Sequence, residues 1–286
     1  MSSCEDLLSP FYAVMDKELT SNSLNIPTSF NLISRVNHVI DDPGSSIKDI
    51  ANLVQSEPIL LAKVLRMANS VAMNPYGGKV ITSAFESVQR LGSKKIRCMV
   101  YLVVMEQVRL DNRSDQIKNM ATTIWWHSLD VASMSYALAK HTHICDPDDA
   151  MLTGIMIDLG QFYILSRLNN FPEILDQPKC IIELLAQNHV SLTKQIIDAL
   201  MLPSVVIKSY NTSTRNRPTW PMVDLVDVIA LSNISTEYKN PYIQFIADLK
   251  KKKFESDLDD AEIAEIGNLL REIEPLRSDI FTSMSF

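Results

Sequence analysis

Glycine is scarce in this sequence. Only 7 of the 286 residues are glycine, whereas glycine makes up about 7% of an average protein. Few positions can therefore adopt the backbone conformations of tight turns and strand bends. The sequence also lacks a glycine-rich phosphate loop and a Gly-x-Ser-x-Gly elbow, which argues against P-loop and α/β-hydrolase chemistry. Leu, Ile, Ala, Met and Lys are plentiful instead, and these residues favour helix.

Cysteine and long hydrophobic runs are also in short supply. The four cysteines lie far apart and form no Cys-x-x-Cys pair, so we interpret them as reduced, mostly structural thiols of a cytosolic protein. The longest apolar run, Cys98 to Met105, is far shorter than the roughly 20 residues of a membrane-spanning helix. The first twenty residues contain no basic leader, so we expect no signal peptide and a cytoplasmic location.

Positive charge is in deficit. The sequence has 27 Lys and Arg against 34 Asp and Glu, a net charge of −7. This balance argues against a general nucleic-acid or anionic-membrane binder. The 46% hydrophobic content suits one large or two modest globular domains with a real core.

Apolar residues recur at three- and four-residue intervals along most of the chain, which is typical of amphipathic helices. Ser46 with Asp49 has the pattern of a capping box at one helix start. We therefore predict an all-α fold, a multi-helix bundle of about a dozen helices in two lobes. The main predicted helices span 9–19, 30–40, 83–92, 93–105, 116–140, 150–159, 222–234, 241–253 and 258–273.

The polar stretch 212–219 contains no apolar residue and is the best candidate for a boundary. We divide the chain into an N-terminal helix at 1–23, a main domain at 24–213 and a C-terminal helical extension at 214–286 that packs on it. Within the main domain, an N-terminal lobe reaches to about residue 107, and a second, core region covers 116–213.

Several short motifs follow one another at characteristic spacings within 24–213. They are Ile26-Pro27, Asp41-Asp42-Pro43, the run from Ser56 to Ser70, Ile81-Thr82-Ser83, Leu91-Gly92, Trp125 with His127-Ser128, and His189 followed by Leu202-Pro203. In order and spacing they resemble the HDOD family, the HD-related output domain. The resemblance implies an HD-domain, phosphodiesterase-like helical bundle of bacterial signalling. Two positions depart from the family pattern: Thr193 stands where Gly is usual, and Leu200 where Trp is usual.

The resemblance also implies where the metal site of the related His-Asp phosphohydrolases would lie. Those enzymes hold one or two metal ions with His and Asp side chains and use them to activate a water for attack on phosphorus. Three corresponding positions keep a side chain that can bind metal: His127, Asp158 and His189. Four positions have lost one: Ile157, Thr212, Ser213 and Asn233.

The residue at position 157 separates two hypotheses. Ile157 replaces the His of the His-Asp pair and has no lone pair, and Asp158 alone is a poor site for a transition metal. The favoured hypothesis is a non-catalytic signalling or regulatory protein without a cofactor, which binds other proteins or senses a ligand in the vestigial pocket. The alternative is a metal-dependent phosphohydrolase with an atypical Zn, Fe or Mg site built from His127, Asp158 and His189.

Two weaker features have ordinary explanations. His141 and His143 lie at a predicted helix end, where a favourable helix dipole accounts for them. The lysines from Lys250 to Lys253 could attract phosphate or lipid headgroups, but we favour a solvated helix end.

Overall fold

The computed structural model describes residues 4–20, 31–110, 114–199, 204–211 and 218–285. Within these residues the chain forms fourteen helices and no strand, which confirms the predicted all-α fold. The helices are α1 Cys4–Thr20, α2 Asn31–Asp41, α3 Ile47–Ser56, α4 Pro58–Ala68, α5 Ala84–Leu110, α6 Asp115–Thr142, α7 Pro147–Ile155, α8 Leu159–Leu168, α9 Pro172–Leu175, α10 Pro178–Ala199, α11 Ser204–Asn211, α12 Leu225–Ser235, α13 Gln244–Glu255 and α14 Asp260–Met284.

Local capping explains where several helices begin. Ser46 forms the predicted capping box with Asp49: the Ser46 amide donates to Asp49 Oδ2 at 2.8 Å, and the Asp49 amide donates to Ser46 Oγ at 3.3 Å. At α7, Asp146 accepts from the amides of Asp148 and Asp149 at 2.8 and 3.3 Å. These side chains satisfy amides that have no partner inside the helix.

Two helices are longer than their sequence patterns predict. Helix α1 begins at Cys4 and contains Pro10, and α14 runs to Met284 through Pro275. Proline removes one helical hydrogen bond, but burial of one face compensates for this loss. In α14, for example, Ile273, Ile280 and Met284 are all buried.

The N-terminal lobe packs α2, α3 and α4 against α5. Helix α5 is interrupted at Gly92, whose φ of 77° and ψ of 164° are not helical. Glycine adopts such a positive φ without a steric penalty, which explains the predicted helix boundary there. The segment that follows is buried on nearly all sides from Ile96 to Met105, so it forms the centre of the core.

Helix α6 is the central element of the second region and contacts α7, α8, α12 and α14. Its contact with α7 is very close at Gly154. A Cβ atom at Gly154 would lie 2.6 Å from Ala132 Cα and 2.8 Å from Ala132 N. The absence of a side chain at 154 therefore sets the distance between these two helices.

Helix α14 connects the two regions. Arg277 pairs with buried Asp130 on α6. Two residues further along α14, Asp279 accepts from the amides of Val71 and Ala72 at 3.3 and 2.6 Å, just beyond the end of α4. The Met284 carbonyl accepts from Lys63 Nζ at 3.4 Å. The last helix thus joins the N-terminal lobe to α6.

The cysteine interpretation was wrong. Cys4 on α1 and Cys180 on α10 form a disulfide across 176 residues, with their Cα atoms 5.4 Å apart. Cys98 and Cys145 are free. The pair is hidden in the sequence because only the packing of α1 against α10 brings the two residues together.

Within the described ranges, each helix is too short or too polar to cross a bilayer.

We expect Gly154→Ala to lower the free energy of unfolding by about 1–3 kcal/mol, because the added methyl group meets a rigid backbone. Gly267→Ala on α14 is the matched control. Its Cβ would have no neighbour closer than 3.9 Å, so it should stabilise the protein by about 0.5–1 kcal/mol. Urea unfolding of both variants tests this, and equal effects at the two glycines would contradict the proposed close contact.

Candidate functional site

The chain leaves the helical path between α7 and α8, and Asp158 lies in this break. Helix α7 ends at Ile155, and Leu159 begins α8. The prediction of one continuous helix over 150–159 was therefore wrong. Gly160 belongs to α8, and its amide donates to Thr193 Oγ1 at 2.7 Å. Thr193, a departure from the family pattern, thus holds the start of α8 against α10.

Both carboxylate oxygens of Asp158 are hydrogen-bonded. Oδ2 accepts from Ser128 Oγ at 2.8 Å and lies 2.7 Å from His127 Nδ1. Oδ1 accepts from Asn240 Nδ2 at 3.2 Å. The side chain has 0% exposure, so these contacts replace water completely.

His127 lies between two oxygen acceptors. Its Nδ1 faces Asp158, and its Nε2 lies 3.0 Å from Asn233 Oδ1. Burial alone would lower the pKa of His127, but the charge and hydrogen bond of Asp158, together with the hydrogen bond to Asn233, raise it above its ordinary value. Both neighbours of the ring therefore favour its protonated form.

Asn240 extends the network on its other side. Its Nδ2 also donates to Gln161 Oε1 at 2.6 Å, and its Oδ1 accepts from the Tyr242 amide at 3.2 Å. Both Asn240 and Gln161 are buried. Asn233 lies on α12 and Asn240 in the loop that follows, so residues far along the chain close this site. Sequence reasoning identified Asn233 by its position but missed Asn240 and Gln161, which belong to no motif.

A second buried carboxylate fixes the loop that carries Asn240. Asp130, which lies one turn beyond His127 on α6, accepts from the amides of Glu237 and Tyr238 at 2.7 and 3.1 Å and pairs with Arg277. Aromatic packing adds to this anchor. The Tyr238 ring stacks on Trp126 and Phe281 with centroid distances of 5.8 and 5.2 Å. The loop between α12 and α13 is therefore held by both α6 and α14.

The other predicted positions are only partly described. Ile157 is half-buried and has no polar atom in its side chain. His189 lies on α10, but its side chain is outside the described residues, as are Thr212 and Ser213. Of the three candidate ligands, the structure thus places His127 and Asp158 together.

The described side chains do not by themselves complete a site for a divalent metal ion, because they supply two of the predicted ligands, His127 and Asp158. A metal ion at His127 would displace the hydrogen bond of Nδ1 to Asp158 or that of Nε2 to Asn233. Asp158 Oδ2 already has two partners, His127 and Ser128, and Oδ1 has one, Asn240. In the parts of the chain that the structure describes, no three His, Cys, Asp or Glu residues are grouped as metal ligands.

We expect His127→Gln to lower the free energy of unfolding by about 1–3 kcal/mol near pH 6 and by less near pH 9. The folded pKa of His127 is raised. Its stabilising effect is therefore complete below the unfolded pKa of about 6.5 and is lost as the pH rises through the folded pKa. Urea unfolding across this pH range measures the difference. The exposed His38→Gln variant is the control, and a pH-independent effect at His127 would contradict the raised pKa of its ring.

A family model described as HDOD domain matches residues 26–204. No curated protein matches the chain.

Several solved structures share this fold at low sequence identity. A protein from Shewanella amazonensis, provisionally designated a metal-dependent phosphohydrolase, has 18% identity and a TM-score of 0.72 over 98% of this chain and 99% of its own. An HDOD domain protein of unknown function from Geobacter sulfurreducens has 17% identity and a TM-score of 0.57, with coverages of 93% and 98%. A provisionally designated signal transduction protein from Marinobacter aquaeolei has 17% identity and a TM-score of 0.55, with coverages of 93% and 61%.

Proposed function

Because the chain belongs to the HDOD family, whose model matches more than half of its length, we propose that it is a non-catalytic regulatory protein of bacterial signal transduction. In this proposal it acts by binding other proteins. The observation that carries the proposal is the closure of Asp158 by hydrogen bonds from His127, Ser128 and Asn240.

The energetics of this closure support a structural role. A hydrogen bond to a charged group stabilises a protein by about 1.5–3 kcal/mol, and a metal ion held between His127 and Asp158 would replace the one that joins them. Ile157 supplies no donor in exchange, and Asn233 carries no charge to balance the ion. The polar cluster therefore joins α6, α8 and the loop after α12, and both carboxylate oxygens of Asp158 are hydrogen-bonded within it.

A metal-dependent phosphohydrolase remains the second candidate, because two of its predicted ligands lie together: His127 Nδ1 is 2.7 Å from Asp158 Oδ2. The Shewanella structure is designated as such an enzyme, but at 18% identity the similarity shows only the fold. The second candidate requires an atypical ligand set for Zn, Fe or Mg.

Protein binding is supported by a loop that the chain holds in place and exposes. Asn69 at the end of α4 donates to the Ile81 carbonyl and accepts from the Ile81 amide, both at 2.8 Å. This pair closes the base of the loop 70–80. Asp279 of α14 fixes the first part of the loop through the amides of Val71 and Ala72.

The loop exposes apolar side chains to solvent. Tyr76 near its tip is 98% exposed, and Val71 and Val80 near its base are 68% and 66% exposed. Exposed apolar side chains that are concentrated on an anchored segment indicate a protein-binding surface. The loop is the part of the N-terminal lobe that we propose contacts a partner.

We expect the purified protein to hold far less than one Zn, Fe or Mg ion per chain after incubation with each metal and desalting. It should also show no turnover of a chromogenic phosphodiester. Elemental analysis of wild type and His127→Ala should give the same metal content, because His127 holds no ion. Stoichiometric metal that is lost in His127→Ala, together with phosphodiester turnover, would support the hydrolase instead.

We expect a photoreactive phenylalanine analogue at position 76 to cross-link the protein to a discrete partner in living cells of the source organism. The same analogue at Val223, which is 66% exposed, is the matched control for surface exposure. Denaturing gels and mass spectrometry detect the adducts. An adduct pattern at position 76 that equals the pattern at position 223 would contradict a binding role for the loop.

A further inference from the structure

Helix α1 is attached to the second region by a covalent bond and by one buried face. Cys4, its first residue, forms the disulfide with Cys180 of α10. Leu8, Phe11 and Met15 follow at steps of three and four residues, so they lie on one face of the helix, and all three are buried. Within the described ranges α1 packs on α9 and α10.

Non-covalent contacts hold the middle and the end of α1. The Phe11 ring lies edge-on to the ring of Phe171 at the start of α9, with the centroids 5.3 Å apart. Near the end of α1, Glu18 accepts a hydrogen bond from the Tyr163 hydroxyl and pairs with Arg167 Nε at 3.3 Å. Tyr163 and Arg167 both lie on α8. The disulfide therefore fixes one end of α1, and a charged pair fixes the other.

The helical structure of α1 depends on this packing. Pro10 lies in the interior of the helix, where proline removes one helical hydrogen bond and its ring crowds the carbonyl four residues earlier. Proline is the least favourable residue at such a position. A short helix of this kind is not stable in water by itself. Separation of α1 from α9 and α10 would therefore also unfold it.

The four cysteines differ in how readily they react with an external thiol. Cys4 is half-buried, so a thiolate can approach the disulfide from its side. Cys98 is free but has 0% exposure. Cys145 is free and half-buried, and burial raises the pKa of its thiol to about 11. The reactive thiolate form of Cys145 is therefore scarce near neutral pH, which confines thiol–disulfide exchange to the pair Cys4 and Cys180.

We propose that the Cys4–Cys180 disulfide is a redox switch: it holds α1 on α9 and α10, and its reduction by a dithiol releases α1. One thiolate of the dithiol attacks a sulfur of the pair and forms a mixed disulfide, and the other cysteine leaves as a thiolate. The second thiol of the reductant then displaces the cysteine that is still bound. The reductant ends as a cyclic disulfide, and its two electrons and two protons reside on the two cysteine thiols.

Release of α1 has two effects on the second region. It uncovers the apolar surface at Phe171, and it removes the restraint on α10 at Cys180. Helix α10 also carries Thr193, whose Oγ1 accepts from the Gly160 amide at 2.7 Å, close to Asp158. One helix thus connects the switch with the start of α8. The switch does not depend on the proposed regulatory function, because it requires neither the exposed loop nor a protein partner.

Hydrogen exchange of the full chain, measured by mass spectrometry, tests the release. Peptide mapping without reductant should first show that Cys4 is linked to Cys180. After dithiothreitol treatment we expect the protection of the α1 amides to fall by about tenfold or more while α6 is unchanged, and oxidised glutathione should restore it. Cys4→Ser should give the reduced pattern under both conditions. Cys145→Ser is the matched control, because it keeps the pair and should respond as the wild type does. Protection of α6 verifies that each variant is folded.

Pro10→Ala gives a second test that leaves both cysteines in place. Alanine restores the missing helical hydrogen bond, so the loss of α1 protection on reduction should be about fivefold smaller than in the wild type. An undiminished loss would contradict unfolding of α1 as the response to reduction.

Three other results would overturn the switch. The first is an isolated protein in which Cys4 and Cys180 are not linked. The second is α1 protection that does not change after reduction. The third is an equal loss of protection in α1 and α6, because this would show a cross-link that stabilises the whole fold and has no local effect on α1.

Discussion

A carboxylate removed from water must have its oxygens hydrogen-bonded, and the burial of Asp158 imposes this requirement on three separate parts of the chain. Asp158 accepts from His127 and Ser128 on α6 and from Asn240 in the loop after α12. The partners are distant in sequence, so the site forms only when α6, α8 and the C-terminal helices are all in place. Two of the positions that the family resemblance marks as metal ligands, His127 and Asp158, are hydrogen-bonded to each other.

The same requirement operates one turn further along α6. Asp130 is fully buried and is satisfied by two amides of the loop after α12 and by Arg277. Loss of either partner would leave a buried charge unpaired, which costs far more than a surface pair contributes. The two carboxylates thus make α6 the element to which the C-terminal helices are attached. Polar contacts as well as apolar packing therefore hold the C-terminal helices on α6.

The features that could be predicted from the sequence were those marked by local patterns or by the family resemblance. Helical periodicity predicted the fold class. The pair Ser46 and Asp49 predicted the capping box, and Gly92 predicted the helix boundary at that position. The family resemblance brought attention to His127, Asp158 and Asn233, which do lie together. The break before Asp158 was missed because Met156 and Leu159 continue an apolar helical pattern across it. Asn240, Gln161 and the Cys4–Cys180 disulfide were missed because their partners are set by tertiary packing. No short-range signal marks such pairs.

Helix α14 has a mechanical consequence. Asp279 of α14 binds the base of the exposed loop in the N-terminal lobe. Arg277 and Phe281 of the same helix contact α6 and the loop that carries Asn240. These contacts lie within the five residues from Arg277 to Phe281, so a displacement of either loop acts on the same short segment of α14.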